Sequence, residues 1–203
     1  MMEIAQLVGT VVFAVSGVVA VAERKLDWFG VIVVGAVTAV GGGTMRDLIL
    51  GDTPVFWIED DKYLFFALIG ALLAIPLVRH FGREHAQFER SLVLLDALGL
   101  SLFAVTGAQL TLELGFDAPT AVVCGILTGV GGGVIRDLLA GQQPLILRSD
   151  IYATAALAGT AIYVLLVEAT SITQPPTMAI GMLLIFTLRM VSYERSWSLP
   201  SLQ

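Results

Sequence analysis

Residues 41–54 read GGGTMRDLILGDTP, and residues 131–144 read GGGVIRDLLAGQQP. The two stretches stand 90 residues apart, and so do VFAVSG at 12–17 and LFAVTG at 102–107. One offset shared by separate segments is the mark of a duplicated unit. The repeated signature is a glycine triplet, two intervening residues and then Arg-Asp, all within apolar sequence. Glycines and ionised side chains are poor material for a helix surface that faces lipid. Finding them twice in register points to a built site.

Composition sets the class around that signature. The chain of 203 residues is 57% hydrophobic and 14% charged, with mean hydropathy +0.87. Soluble domains carry about 25% charged residues. A soluble fold this apolar would leave large exposed patches, so a bilayer is the better solvent. Apolar runs lie at Ile4–Ala22, Trp28–Val40, Tyr63–Val78, Ser91–Leu112, Thr120–Val134, Ile151–Val167 and Thr177–Val191. Most approach the ~20 residues that cross ~30 Å of hydrocarbon. The second and fifth runs are short but continue through GGG and Arg-Asp to a Leu-rich end. The expectation is an all-α membrane protein of seven transmembrane helices, the second and fifth broken at their glycine triplets. Ile4–Ala22 has Glu3 and no basic residue ahead of it, so it reads as a retained helix rather than a signal peptide.

Three helices per repeat place the second copy upside down relative to the first, as in several transporter folds. The organisation expected is one membrane domain over 1–203, with inverted repeats at about 1–84 and 91–174 and a final helix at about 177–195. Arg24, Lys25, Arg79, His80, Arg83, His85, Arg90, Arg148 and Arg195 fall on one side of the membrane. Glu59, Asp60, Asp61, Glu113, Asp117 and Glu168 fall on the other, with Lys62. Basic loops stay inside, which puts the N-terminus outside and the C-terminus in the cytoplasm. The Arg-rich loop HFGREHAQFER (80–90) is the expected hinge between the repeats.

Each interior glycine costs a helix about 1 kcal/mol relative to alanine. Gly41, Gly42, Gly43, Gly131, Gly132 and Gly133 are therefore either sites of close helix approach or breaks that turn backbone groups toward a polar pathway. The Arg-Asp that follows favours a pathway or a clamp, because an ionised side chain at mid-bilayer costs at least ~2.5–3.5 kcal/mol on insertion scales. Neighbours on a helix point about 100° apart. Arg46 is therefore expected to meet Asp137, and Arg136 to meet Asp47, across the two-fold. Ser16 and Thr106 are equivalent; each either bonds its own backbone or offers a hydroxyl to a cation. Thr38 and Thr128 precede the triplets on the same faces as weaker lining candidates. Asp96, six residues into the fourth run, has Gln6 as its repeat partner; it lies near the headgroups or lines the interior. Arg189 is expected to snorkel to the cytoplasmic surface or meet the headgroup of a bound lipid.

The chain contains no GxxxxGK[ST], HExxH, CxxC or nucleophile elbow. Cys124, the single cysteine, sits in an apolar run without metal-ligand spacing. No enzyme, metal or cofactor is expected, and a net charge of −6 gives no support to nucleic-acid binding. What remains is a pathway for something small.

The duplicated GGG-x-x-RD, the FAV[ST]G element and the 3+3+1 pattern together resemble the trimeric intracellular cation (TRIC) channel family in its prokaryotic branch, over essentially the whole chain. The resemblance implies a homotrimer in which each subunit holds its own pore. That pore is lined by the first, second, fourth and fifth helices and passes K+ and Na+. The family's kinks map onto Gly41–Gly43 and Gly131–Gly133, and its following basic residues onto Arg46 and Arg136. The bacterial family has also been labelled a glycine transporter, which supplies the rival reading. Inverted repeats with broken helices favour a carrier; small loops and an acidic outer face favour a simple cation pore. A lipid-bound structural membrane protein is a third reading. The expected location is a prokaryotic inner membrane.

Overall fold

The computed structural model describes residues 1–81, 85–148, 151–170 and 174–197. Residues 82–84, including Arg83 of the expected hinge, lie outside the described residues, as do the side chains of His80, His85 and Arg148. The described residues form helices and no strands: α1 (Met2–Ala20), α2 (Trp28–Leu50), α3 (Phe56–Glu59), α4 (Lys62–Phe81), α5 (His85–Glu113), α6 (Ala118–Leu139), α7 (Leu145–Arg148), α8 (Ala153–Ala169) and α9 (Gln174–Arg195).

Six of these, α1, α2, α4, α5, α6 and α9, are long and apolar enough to cross a membrane. The expected count of seven is not met by length, because α8 has 17 residues, about 25 Å at 1.5 Å per residue. The apolar run begins at Ile151, but Tyr152 stands at the helix N-cap and turns its side chain into the interior instead of starting the helix.

The break expected at the glycine triplets is also absent: α2 and α6 run as uninterrupted helices through Gly41–Gly43 and Gly131–Gly133. The two helices cross at the triplets, and the crossing is what uses the glycines. A Cβ on Gly42 would overlap the Thr128 carbonyl oxygen, and one on Gly132 would lie 2.5 Å from the Thr38 carbonyl oxygen. Ninety residues separate Gly42 from Gly132 and Thr38 from Thr128, so the contact is reciprocal, as a two-fold relation requires. Gly41 against Ile135 and Gly131 against Met45 repeat the pattern. Phe13 and Phe103, again 90 apart, stack on each other with ring centroids 5.3 Å apart. The helical penalty of the glycines is offset by backbone approach, with no unwinding needed.

Local signals at both ends of α2 and α6 also recur. Asp27 and Asp117 are N-caps in extended conformation, their carboxylates accepting from Gly30 N at 2.7 Å and Thr120 N at 3.1 Å. At the far end Gly51 and Gly141 take φ of 71° and 63°, a left-handed turn that glycine adopts without strain. The N–H groups of Asp52 and Gln142 close back on the carbonyls of Asp47 and Asp137 at 2.9 and 2.8 Å.

The cap at Asp117 gives a pH dependence. Its hydrogen bonds to Thr120 hold the carboxyl below the ordinary value of 3.8. A carboxylate depressed in the folded state stabilises above its ordinary value, and that stabilisation is lost as pH falls through the folded value. Asp117→Ala is therefore expected to lower the melting temperature at neutral pH, with the gap to wild type closing in acid. A gap that is constant across a pH series of thermal melts would remove the ionised cap from the account.

α1 packs on α2, α4 and α5, and α5 packs on α6, α8 and α9. One core cluster centres on Phe13, Ala14, Ala67, Ala71 and Phe103, and another on Leu100, Ala104, Val105, Tyr163 and Ile185. Many positions facing α1 and α5 are alanine or glycine. The close approach they permit leaves the long polar side chains of the signature enclosed.

Candidate functional site

In the first copy of the signature, Arg46 Nε and Nη2 donate to Asp47 Oδ1 at 2.8 and 2.5 Å. The other carboxylate oxygen accepts from the backbone N–H of Phe56 at 2.9 Å, the first residue of α3. In the second copy, Arg136 Nε donates to Asp137 Oδ1 at 2.8 Å, and Asp137 Oδ2 accepts from Leu145 N at 2.7 Å, the first residue of α7. All four ionised side chains are buried. Each aspartate thus faces two ways, holding its neighbouring arginine and capping the short helix that follows.

The crossed pairing of Arg46 with Asp137 and Arg136 with Asp47 is not the one formed. Neighbouring Cβ atoms do diverge, but the cap fixes the carboxylate and the long arginine side chain folds back to reach it. The spacing from Arg-Asp through Gly to Pro in both copies was the available signal, since it places a turn and a new helix start beside the carboxylate.

The two copies differ beyond that pair. Arg136 Nη1 donates to Ser16 Oγ at 2.7 Å and to Asp96 Oδ1 at 2.8 Å. The Tyr152 hydroxyl donates to the same Asp96 oxygen at 3.1 Å. Asp96 is fully buried. α5 begins at His85, so Asp96 lies three turns inside that helix, with its side chain in the interior of the bundle. The arrangement ties α1, α5 and α6 together. Gly133 makes room for it: a Cβ there would lie 2.9 Å from the Tyr152 oxygen and 3.0 Å from Asp96 Oδ1. Asp96 Oδ2 and Arg136 Nη2 are buried without a hydrogen-bond partner. In the first copy Gln6 takes the place of Asp96 and accepts from the Tyr63 hydroxyl at 2.8 Å.

The remaining predicted residues separate. Ser16 joins the charged cluster, whereas Thr106 bonds the Leu102 carbonyl of its own helix at 2.8 Å. Thr38 and Thr128 likewise bond Val34 and Cys124 carbonyls, each at 2.6 Å, and contribute their own carbonyls to the α2–α6 crossing. Arg189 does not snorkel. It is buried, donates to the Ile151 carbonyl at 2.9 Å and lies 4.6 Å from the Tyr152 ring centroid. Tyr152 and Arg189 were missed as site residues; the tyrosines 63 and 152, near the repeat offset, were the one trace of the first.

The described residues thus place paired, buried charge on two equivalent helices of a bundle whose long apolar helices suit a membrane. Comparison with known proteins makes this specific. The family model described as glycine transporter matches residues 3–79 and again 93–168. A membrane protein of Deinococcus radiodurans is 46% identical over 193 residues, covering 94% of this chain and 86% of that one. The inner membrane protein YadS of Escherichia coli K12 is 40% identical over 195 residues, covering 96% and 93%. The crystal structure of the TRIC orthologue from Rhodobacter sphaeroides superposes with a TM-score of 0.90 at 38% identity, covering 97% of this chain and 98% of that one. A prokaryotic TRIC channel crystallised in 0.5 M KCl gives 0.88 at 29% identity, covering 98% of each. The chain belongs to this family, the prokaryotic branch of the TRIC channels, and it is an integral membrane protein.

Proposed function

We propose that this protein is a monovalent cation channel, passing K+ or Na+ through a pore within each subunit lined by α1, α2, α5 and α6, and assembled as a homotrimer. The observation that carries the reading is the bridge from Ser16 through Arg136 to Asp96, an ionised network enclosed where α1, α5 and α6 meet. Charge inside a membrane bundle is costly and marks ion or substrate pathways. The structural neighbours are cation channels, one of them described as trimeric. In this reading Thr38 and Thr128, beside the α2–α6 crossing, and the hydroxyls of Ser16 and Thr106 line the path of the permeant ion. Arg46–Asp47 and Arg136–Asp137 hold or release the helices around it. The fold is one membrane domain of two inverted repeats, 1–84 and 91–174, with α8 as a seventh, short span. Membrane lipid and neighbouring subunits cover its exposed apolar side chains, such as Phe29, Phe65 and Leu73.

Purified protein in a planar bilayer under a KCl gradient is expected to give discrete unitary currents reversing near the K+ potential. Silent bilayers with verified incorporation would sink the channel reading. A second reading, a glycine carrier, is favoured by the description of the matching family model and by the reciprocal contact of the two halves, an arrangement suited to alternating access. Its signature is glycine uptake into proteoliposomes that saturates with glycine concentration.

The orientation proposed puts the N-terminus outside and the C-terminus in the cytoplasm, with Arg24, Lys25, Arg79, Arg90 and Arg195 inside. In a Cys124→Ala background, Asp61→Cys is expected to react with an impermeant maleimide added to intact cells, and Lys25→Cys only after permeabilisation. The opposite labelling would invert the topology.

A further inference from the structure

A cavity of about 160 Å³ opens at one end of the bundle, where the end of α1, the start of α2 and the last turns of α4 meet. Val18, Val31 and Ile75 give it an apolar wall, and Arg24, Trp28 and Arg79 stand exposed around it. Arg79 closes the apolar span of α4, and Arg24 lies in the turn between α1 and α2. The ends of membrane-crossing helices, where tryptophan gathers, lie at the level of the lipid headgroups.

The two cations are available to a ligand. The Arg79 guanidinium lies 4.6 Å from the Trp28 ring centroid. Stacking of this kind holds the guanidinium plane and leaves its N–H edges free to donate. Among the described residues neither Arg24 nor Arg79 is in an ion pair. No carboxylate lines the cavity. Glu23, beside Arg24, is outside the lining, and the Asp27 carboxylate is engaged in the α2 cap.

The fold does not demand this set. The residues 90 positions on from Arg24 and Trp28 are Leu114 and Ala118, and near the end of α8 Glu168 and Ala169 stand where α4 has Arg79. The second repeat builds the same corner without a cation, so the first repeat's arginines answer to something outside the bundle. We propose that the cavity binds the headgroup end of an anionic glycerophospholipid from the leaflet on the basic side of the membrane. The phosphodiester, whose charge no ammonium offsets, accepts from Arg24 and Arg79. The glycerol and the first methylenes lie on Val18, Val31 and Ile75, and the chains continue along the outside of the bundle. The apolar wall selects a lipid over a soluble phosphate, and the paired guanidiniums select an anionic lipid over a zwitterionic one. Basic pockets between membrane helices recognise lipid headgroups in this way. The site goes beyond the channel reading, and its test needs no conduction.

The full chain, with Trp57→Phe and Trp197→Phe leaving Trp28 as the sole tryptophan, is placed in phosphatidylcholine liposomes holding a small fraction of brominated lipid, which quenches a neighbouring indole. Brominated phosphatidylglycerol is expected to quench Trp28 well beyond the same fraction of brominated phosphatidylcholine. Each arginine near the surface is worth about fivefold in affinity for anionic lipid, so the pair gives an enrichment of up to about 25-fold. Arg24→Gln and Arg79→Gln are each expected to lower it about fivefold. Lys25→Gln removes the same charge from the same loop without touching the cavity, and is expected to have a much smaller effect. Ala22→Phe keeps both arginines, fills the cavity from its lining and is expected to abolish the enrichment. Equal quenching by the two lipids overturns the proposal, and is the result if a neighbouring subunit covers the cavity. So does a loss in Lys25→Gln as large as in Arg24→Gln, which leaves only general surface charge, or full enrichment in Ala22→Phe. Relief of the quenching by glycerol 3-phosphate, but not by sulfate at equal ionic strength, would make a soluble phosphate the occupant and overturn it too.

Discussion

Arg136→Gln is expected to destabilise the protein far more than Arg46→Gln. Arg136 is the guanidinium bonded to both Asp96 and Asp137, and its removal strands two fully buried carboxylates. Removing one partner of a buried pair costs about 3–5 kcal/mol, because the other charge stays behind uncompensated. Arg46→Gln strands Asp47 alone, which keeps its bond from the Phe56 N–H. The measurement is the temperature at which detergent-solubilised protein loses its monodisperse chromatographic peak. The expected order is wild type, then Arg46→Gln, then Arg136→Gln, with Arg136→Gln recovering in part when Asp96→Asn is added. Equal losses at the two arginines would contradict the asymmetry of the site.

The second large effect concerns the glycines. Gly42→Ala is expected to be the most damaging alanine substitution in either triplet, because the added methyl overlaps the Thr128 carbonyl and a backbone atom has nowhere to go. Overpacking a tight contact costs about 1–3 kcal/mol, and here the loss exceeds the benefit of alanine as a helix former, about 1 kcal/mol. Gly132→Ala meets the Thr38 carbonyl at 2.5 Å and is expected to follow closely. Gly41→Ala meets the Ile135 Cδ1 atom, the far end of a flexible side chain that can turn aside, and is expected to be mild. If these glycines served instead to break the helix, alanine at all three positions would raise stability. Melting temperatures of the three variants separate the two accounts.

The membrane class, the internal repeat and the burial of charge at Arg46, Asp47, Arg136 and Asp137 were legible in the sequence. Composition selects the solvent, and a duplicated motif exposes itself by its offset. The status of Asp96 was legible only in part. Its pairing with Gln6 showed that the halves differ, but its partners depended on how α5 packs against α6 and on where Tyr152 turns. Arg189 was misread because a cation twelve residues into a terminal span has two outlets, the membrane surface or a partner inside. Hydropathy cannot choose between them.

The sequence by itself determined that the chain is a helical membrane protein built twice from one unit, with ionised residues placed where lipid cannot accept them. These conclusions rest on local and additive quantities: transfer free energy per residue and the spacing of identical motifs. Only the tertiary structure decided which charges meet and what the glycines are for. Arg46 turns to its neighbour, Arg136 gathers Ser16 and Asp96 from two other helices, and Tyr152 and Arg189 arrive from outside the motif. The glycine triplets became a crossing rather than a break because the carbonyls of Thr128 and Thr38 lie against Gly42 and Gly132. A side chain's reach and a helix's rotation depend on every packed neighbour at once, and no spacing along the chain records them.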